Sequence, residues 1–148
     1  MRSFLNRLVL AAAMGVPSVA MAAAPVVEVY KTEYCGCCKE WVKHLEANGF
    51  KVNAHDVENP GDFRQKFGMA DKFESCHSAK VKGYALEGHV PASEIKRLLT
   101  EKPKAVGLAV PGMPPGSPGM EGAHSVAYDV LLVQPNGGHT VYKRYDAK

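Results

Sequence analysis

Three of the chain's four cysteines, Cys35, Cys37 and Cys38, fall in the stretch YCGCCKEW, and the fourth, Cys76, lies further along in ESCHS. Cys35 and Cys38 have the C-x-x-C spacing of a thiol–disulfide exchange centre, with Cys35 as the exposed nucleophile and Cys38 as the resolving thiol. Cys37 is an extra thiol between them, able to rearrange any disulfide that forms. The same stretch therefore also reads as a nest for a soft metal, because thiolates favour Cu(I), Zn(II) or iron–sulfur chemistry.

The elements that must hold these thiols can be read outward from them. Val26 to Tyr30 (VVEVY) is a short strand that ends at the cysteine loop. From Gly36 to Asn48, Trp41, Val42 and Leu45 recur at helical spacing, and Asn48-Gly49 stops the helix. Phe50 to Val57 alternates as a second strand. Asn59-Pro60-Gly61 is a turn, and Asp62 opens a short helix with Phe63 and Phe67 on one face, closed by Gly68. Ala79 to Val81 and Tyr84 to Val90 flank a Lys82-Gly83 hairpin turn. PASEIKRLLTEK starts a helix at Pro91 with Ile95, Leu98 and Leu99 on its apolar face. Residues 104–125 are a Gly/Pro/Met-rich loop, too rich in Gly and Pro to be an element and too long to be an idle connection. YDVLLVQ and HTVYKRY close the chain as a hairpin about Pro135-Asn136-Gly137-Gly138.

The leader sets the compartment. Arg2 and Arg7 precede an apolar run from Leu8 to Val16, and Ala20-Met21-Ala22 is a small-x-small site, so residues 1–22 read as a cleaved secretory signal. A membrane anchor would want about 20 apolar residues, and this run is broken by Gly15 and Pro17. Residues 23–148 are then expected to be one domain, soluble in a bacterial periplasm and off the membrane after cleavage. With 46% hydrophobic residues, the 148-residue chain can bury a real core. The net charge of +3, with no block of adjacent Lys or Arg longer than two, argues against nucleic acid as a partner.

The order β-α-β-α-β-β-α plus a hairpin implies an α/β, thioredoxin-like fold: a central mixed β-sheet flanked by helices, with an appended C-terminal β-hairpin. Such a fold sets the cysteine loop at a helix N-terminus, where free N–H groups and a partial positive charge favour thiolates. A thiol pKa of about 8.5 can drop there to roughly 3.5 to 7.5, and Lys31 and Lys39 push the same way. The proline usual before the third strand of this fold has no match in FESCHSAK; Cys76 and His77 stand there instead. Because that loop lies against the redox loop, Cys76 is expected to converge on the other thiols. Four sulfurs in one pocket suggest a ligand set rather than a reaction centre.

One Zn(II) on four thiolates would leave a net charge of −2, whereas several bridged Cu(I) ions, four matching four sulfurs, would neutralise the site. Softness leans towards a multinuclear Cu(I) cluster, with a single zinc still open. Export points the same way, since unprotected thiols in an oxidising compartment become disulfides.

YCGCCKEWVKHLEANGF, SCHSAKVKGYALEGHVP and GLAVPGMPPGSPGME, in that order, resemble the periplasmic copper-resistance proteins of the CopG type, a small metal-binding family distinct from the DNA-binding repressor of the same name. The resemblance runs from about Val26 to Tyr145. It implies a thioredoxin-like fold whose Cys35, Cys37, Cys38 and Cys76 hold a cysteine-bridged copper cluster, with Cu(I)/Cu(II) interconversion as a further suggestion. It reads as a metal-binding protein more than an enzyme, with copper ions and other periplasmic copper-handling proteins as partners.

His77, beside Cys76, is a further candidate ligand or a donor to a cluster sulfur. Met113 and Met120 are thioether donors suited to Cu(I), or plain packing of the loop. His44, His55, His89 and His139 read as structural or solvated, and His124 closes the Met loop. Trp41 and Tyr34 flank the cysteines as shields, Trp41 being most simply core. Asp71 and Glu74 have no partner at a spacing that suggests acid–base work, and Gly112, Gly116 and Gly119 lack the strand–helix context of a nucleotide loop.

Overall fold

The computed structural model describes residues 23–147, so the expected signal at residues 1–22 lies outside the described residues. The elements are β1 (Val26–Lys31), α1 (Gly36–Ala47), β2 (Lys51–Asp56), α2 (Pro60–Lys66), a 3-10 turn (Asp71–Phe73), β3 (His77–Val81), β4 (Tyr84–Glu87), α3 (Ala92–Glu101), β5 (Gly107–Ala109), β6 (Tyr128–Val133) and β7 (His139–Tyr145). All seven strands form one sheet in the order β2-β1-β3-β4-β5-β6-β7. β1 runs parallel to β2 and β4 parallel to β5; the other pairings are antiparallel. Among the described residues the fold is α/β with a mixed sheet and three α-helices.

Alternation along the strands assigns the two faces, since successive side chains point to opposite sides. Val27, Val29, Leu86, Leu108 and Val130 pack with Trp41 and Leu45 of α1 and with Ile95 and Leu98 of α3 in the main core. Ala85, Ala109 and Val133 face the other way and pack with Met69 and Phe73. Tyr30 stacks on Phe63 of α2 at 3.9 Å between ring centroids. Full burial of residues such as Leu45 and Ile95 stabilises the fold by about 1.5–3 kcal/mol each.

Three sequence expectations change. α2 starts at Pro60 rather than Asp62, because the Asn59 side chain caps it by accepting from Gly61 N at 3.0 Å, and proline suits a first helical position. Residues 104–125 are not loop throughout: Gly107–Ala109 form β5. Position 107 must be glycine, since a Cβ there would lie 1.8 Å from Ala85 O. β5 in turn joins the C-terminal hairpin to the sheet, so the hairpin continues the sheet rather than standing apart from it.

Candidate metal centre

Cys35 is the N-cap of α1, and its Sγ accepts from Cys38 N at 3.3 Å. Cys37 and Cys38 occupy the helix's first turn, where backbone N–H groups lack helical partners. Cys76 ends the approach to β3. The four sulfurs all lie within 4.8 Å of one another. Cys37 Sγ is 3.5 Å from Cys35 Sγ and 4.0 Å from Cys76 Sγ, and Cys38 Sγ is 3.5 Å from Cys76 Sγ. Cys35 and Cys38 are joined as a disulfide, while Cys37 and Cys76 are free. Cys38 is fully buried and the other three are partly exposed, so the group forms a shallow pocket with one sulfur at its floor.

Burial, with the Cys37 charge second, pushes the Cys76 thiol up to about 12. The thiol stays protonated unless a cation takes the proton's place, which fits a soft metal ion in this donor set. Lys31, expected to favour thiolates, is buried in an ion pair with Asp56.

His77 and His89 border the same sulfur. His77 Nδ1 is 3.4 Å from Cys76 Sγ and His89 Nε2 is 3.0 Å from it. Both rings are fully buried. Burial, with repulsion from His89 whenever that ring is protonated, pushes the His77 pKa down to about 3, and burial also lowers that of His89. Both rings are therefore neutral at ordinary pH.

His89 was expected to be structural or solvated; it is buried rather than solvated, and its Nε2 faces the Cys76 sulfur. A two-residue turn pairs Val81 with Tyr84 and Ser78 with Glu87. Extending that register sets Cys76 opposite His89, a placement already implied by the Lys82-Gly83 turn.

Residues after β5 come back over the pocket. Gly112 N donates to Glu74 O at 2.8 Å, and Ser75 Oγ donates to Gly112 O. Met113 Sδ then stands 3.9 Å from Cys37 Sγ. Met120 is half-buried; its backbone closes the turn, N donating to Ser117 O and O accepting from Gly116 N, each at 2.8 Å. Between the two methionines, Pro118 O accepts from His89 Nδ1 at 2.7 Å. Gly119, at φ +85°, lies so close to α1 that a Cβ would sit 2.7 Å from Cys37 O and 2.8 Å from Trp41 N.

Glu87 sets the height of the Cys76 loop. Its buried carboxylate accepts from Ser75 N at 2.9 Å and from Ser78 Oγ at 2.6 Å, with Arg64 Nη1 at 3.6 Å. Burial raises its pKa to about 7 against the pull of those partners. Asp71 and Glu74 pair with the same Arg64 guanidinium, which accounts for both acids without catalysis.

The remaining candidates fall outside the cluster. Trp41 is core, its Nε1 donating to Val90 O at 2.8 Å, and its ring lies 4.3 Å from that of His77. Tyr34 is 90% exposed and shields nothing. His44 accepts from Ala92 N, His55 pairs with Glu28, and His139 meets the edge of Phe73. His124 lines a separate cavity of about 430 Å³ with His44 and Glu121.

No curated protein matches the chain. Residues 73–120 match a family described as "Protein of unknown function, DUF411". Two solved structures are similar over most of the chain. "Copper resistance protein copG- Form 2" is 43% identical, with 82% of this chain and 98% of that chain covered and a TM-score of 0.78. "Copper resistance protein copG- Form 1" is also 43% identical, covering 82% and 97%, with a TM-score of 0.77. Identity at that level over nearly the whole length of the solved chains means that this chain belongs to the copper resistance protein CopG family.

Proposed function

We propose that this is an exported copper-binding protein of copper resistance, acting in the periplasm, in which Cys35, Cys37, Cys38 and Cys76 together hold a multinuclear Cu(I) cluster. The observation that carries this is the convergence of four sulfurs within 4.8 Å. Four soft donors this close repel one another as thiolates, and several monovalent cations bridged between them relieve that repulsion better than one divalent ion. The name of the similar solved structures agrees with copper.

The framework is a thioredoxin-like core. The order β2-β1-β3-β4, with β1 parallel to β2 and the next two pairings antiparallel, supports that assignment. Residues 1–22 serve as the signal, and among the described residues no helix is long and apolar enough to cross a membrane. Copper held by this set exchanges one electron with an external one-electron donor or acceptor, passing between Cu(I) and Cu(II), and other periplasmic copper-handling proteins deliver or remove it.

The Cys35–Cys38 disulfide favours a second reading, a thiol–disulfide oxidoreductase. Partly exposed Cys35 is the nucleophile there and buried Cys38 the resolving thiol. Reduced protein titrated anaerobically with Cu(I), with metal analysis and a free-thiol count, separates the readings. Several coppers per chain are expected, with all four thiols protected from alkylation. A metal-free protein cycling only its Cys35–Cys38 disulfide would overturn the copper reading, as would a single tightly held zinc with little copper.

A further inference from the structure

We infer that Cys76, His77 and His89 form a second metal site of mixed sulfur and nitrogen donors, taking one copper ion and sharing the Cys76 sulfur with the four-thiol pocket. It rests on the reading of Cys76 as a metal ligand and adds two histidines that the four-cysteine cluster does not use.

One ring nitrogen of each histidine and the Cys76 sulfur lie within 4.8 Å of one another. Tautomers decide whether these nitrogens offer lone pairs. A neutral imidazole carries one N–H. On His89 that proton sits on Nδ1, because Pro118 O, 2.7 Å away, can only accept. Nε2 is left as a lone pair aimed at Cys76 Sγ, 3.0 Å away. On His77, Nδ1 faces the same sulfur at 3.4 Å, and Nε2 has no hydrogen-bond partner although the ring is fully buried. A proton on Nε2 frees the Nδ1 lone pair for the space beside Cys76.

The spacing suits an ion. Ligand bonds of about 2.0–2.3 Å put neighbouring donors roughly 3.5 Å apart, a few tenths from the distances found. One thiolate with two imidazoles is a set that suits copper. The Pro118 carbonyl plays the part of the outer hydrogen-bond partner that fixes a ligating histidine's tautomer and orientation. The positions follow from the fold, with His77 opening β3 and His89 opposite Cys76 in the β3–β4 register.

The test removes the other thiols. The full chain carrying Cys35→Ser, Cys37→Ser and Cys38→Ser is titrated anaerobically with Co(II), a redox-inert probe with visible ligand-field bands. One Co(II) per chain is expected, with a thiolate-to-metal charge-transfer band. Adding His89→Gln should weaken binding at least tenfold, so that the band develops only at correspondingly higher Co(II). A natively folded triple variant with no such band, or a band indifferent to His89→Gln, overturns the site. Wild-type chain loaded with Cu(I) gives an answer that does not depend on the triple variant's folding. X-ray absorption should show nitrogen as well as sulfur scatterers, with the nitrogen contribution reduced in His89→Gln, and sulfur alone overturns the site. The two proposals fail separately: copper-loaded wild type with a sulfur-only shell removes this site alone, whereas wild type that binds a single copper through nitrogen and sulfur removes the four-thiol cluster and leaves this site.

Discussion

The two walls of the thiol pocket are built on different principles. The α1 wall is local: three thiols within one turn, presented by a helix N-terminus and already able to pair, as Cys35 and Cys38 do. The β3–β4 wall is assembled from afar: Cys76 and its two histidines are set by a hairpin register, by the Glu87 contact to Ser75 and by the Pro118 carbonyl. The first wall suits exchange, because its sulfurs reach one another without any other part of the fold. The second is held in place by contacts across the sheet, with both histidines buried and Cys76 partly exposed, and it brings a fourth sulfur to the disulfide motif.

The largest expected effect comes from removing the β3–β4 wall's sulfur. Cys76→Ser should reduce copper affinity more than about 100-fold, beyond what losing an outer partner costs. It should leave exchange at Cys35 and Cys38 with a small-molecule thiol intact. Copper titration and a disulfide-exchange assay on one preparation check both halves. Loss of exchange together with copper would mean that the two walls work as one unit.

Glu87→Gln tests how the β3–β4 wall is held. The folded-state pKa of Glu87 is raised from 4.5 to about 7, so its contribution to stability is complete below pH 4.5 and is lost as pH rises through 7. At about 1.4 kcal/mol per pKa unit, this amounts to about 3 kcal/mol over that window. His77, held neutral with a pKa near 3, acts oppositely: its contribution is present above pH 6.5 and is lost as pH falls towards 3. The readout is therefore the difference between variant and wild type. Denaturant unfolding of reduced, metal-free protein should show that difference moving in favour of Glu87→Gln as pH rises from 4.5 to 7. A difference that stays flat would mean that Arg64 keeps the carboxylate ionised throughout.

Gly119→Ala probes the clasp between the walls. Its Cβ would strike Cys37 O and Trp41 N from a φ of +85°. The expected cost is about 1–3 kcal/mol of stability, with weaker copper binding as the loop carrying Met113 and Pro118 lifts. Gly122→Ala is the control, since a Cβ there meets nothing within 4 Å. Equal effects at the two positions would mean that the loop does not press on α1.

The α1 wall was legible in the sequence because its thiols are neighbours, and CGCC needs only a helix start to bring them together. The convergence of Cys76 was reachable through element order. The contact of His89 with Cys76 was not foreseen although the Lys82-Gly83 turn was identified: one histidine at a strand end carries no signal alone, and only counting the register back from the turn sets it against Cys76. β5 was missed because composition hid it. GLA sits among glycines and prolines, and Gly107 is required by contact with β4 rather than by a turn. Both misses depend on what lies across the sheet, which local pattern does not record.

Met113 has the smallest expected effect and bears on which wall the loop serves. Its thioether is 3.9 Å from Cys37 Sγ, and the side chain is 49% exposed, so it contributes little packing. Met113→Leu keeps the volume and removes the sulfur, and stability should change by less than about 0.5 kcal/mol. If the thioether donates to copper at the α1 wall, Cu(I) affinity falls a few-fold, and removal by a competing chelator speeds up accordingly. Met120→Leu should change neither, since the backbone at that position closes the Ser117 turn and survives the substitution. Equal losses in both variants would make the methionines packing residues and leave the exchange-competent wall with sulfur from cysteine alone.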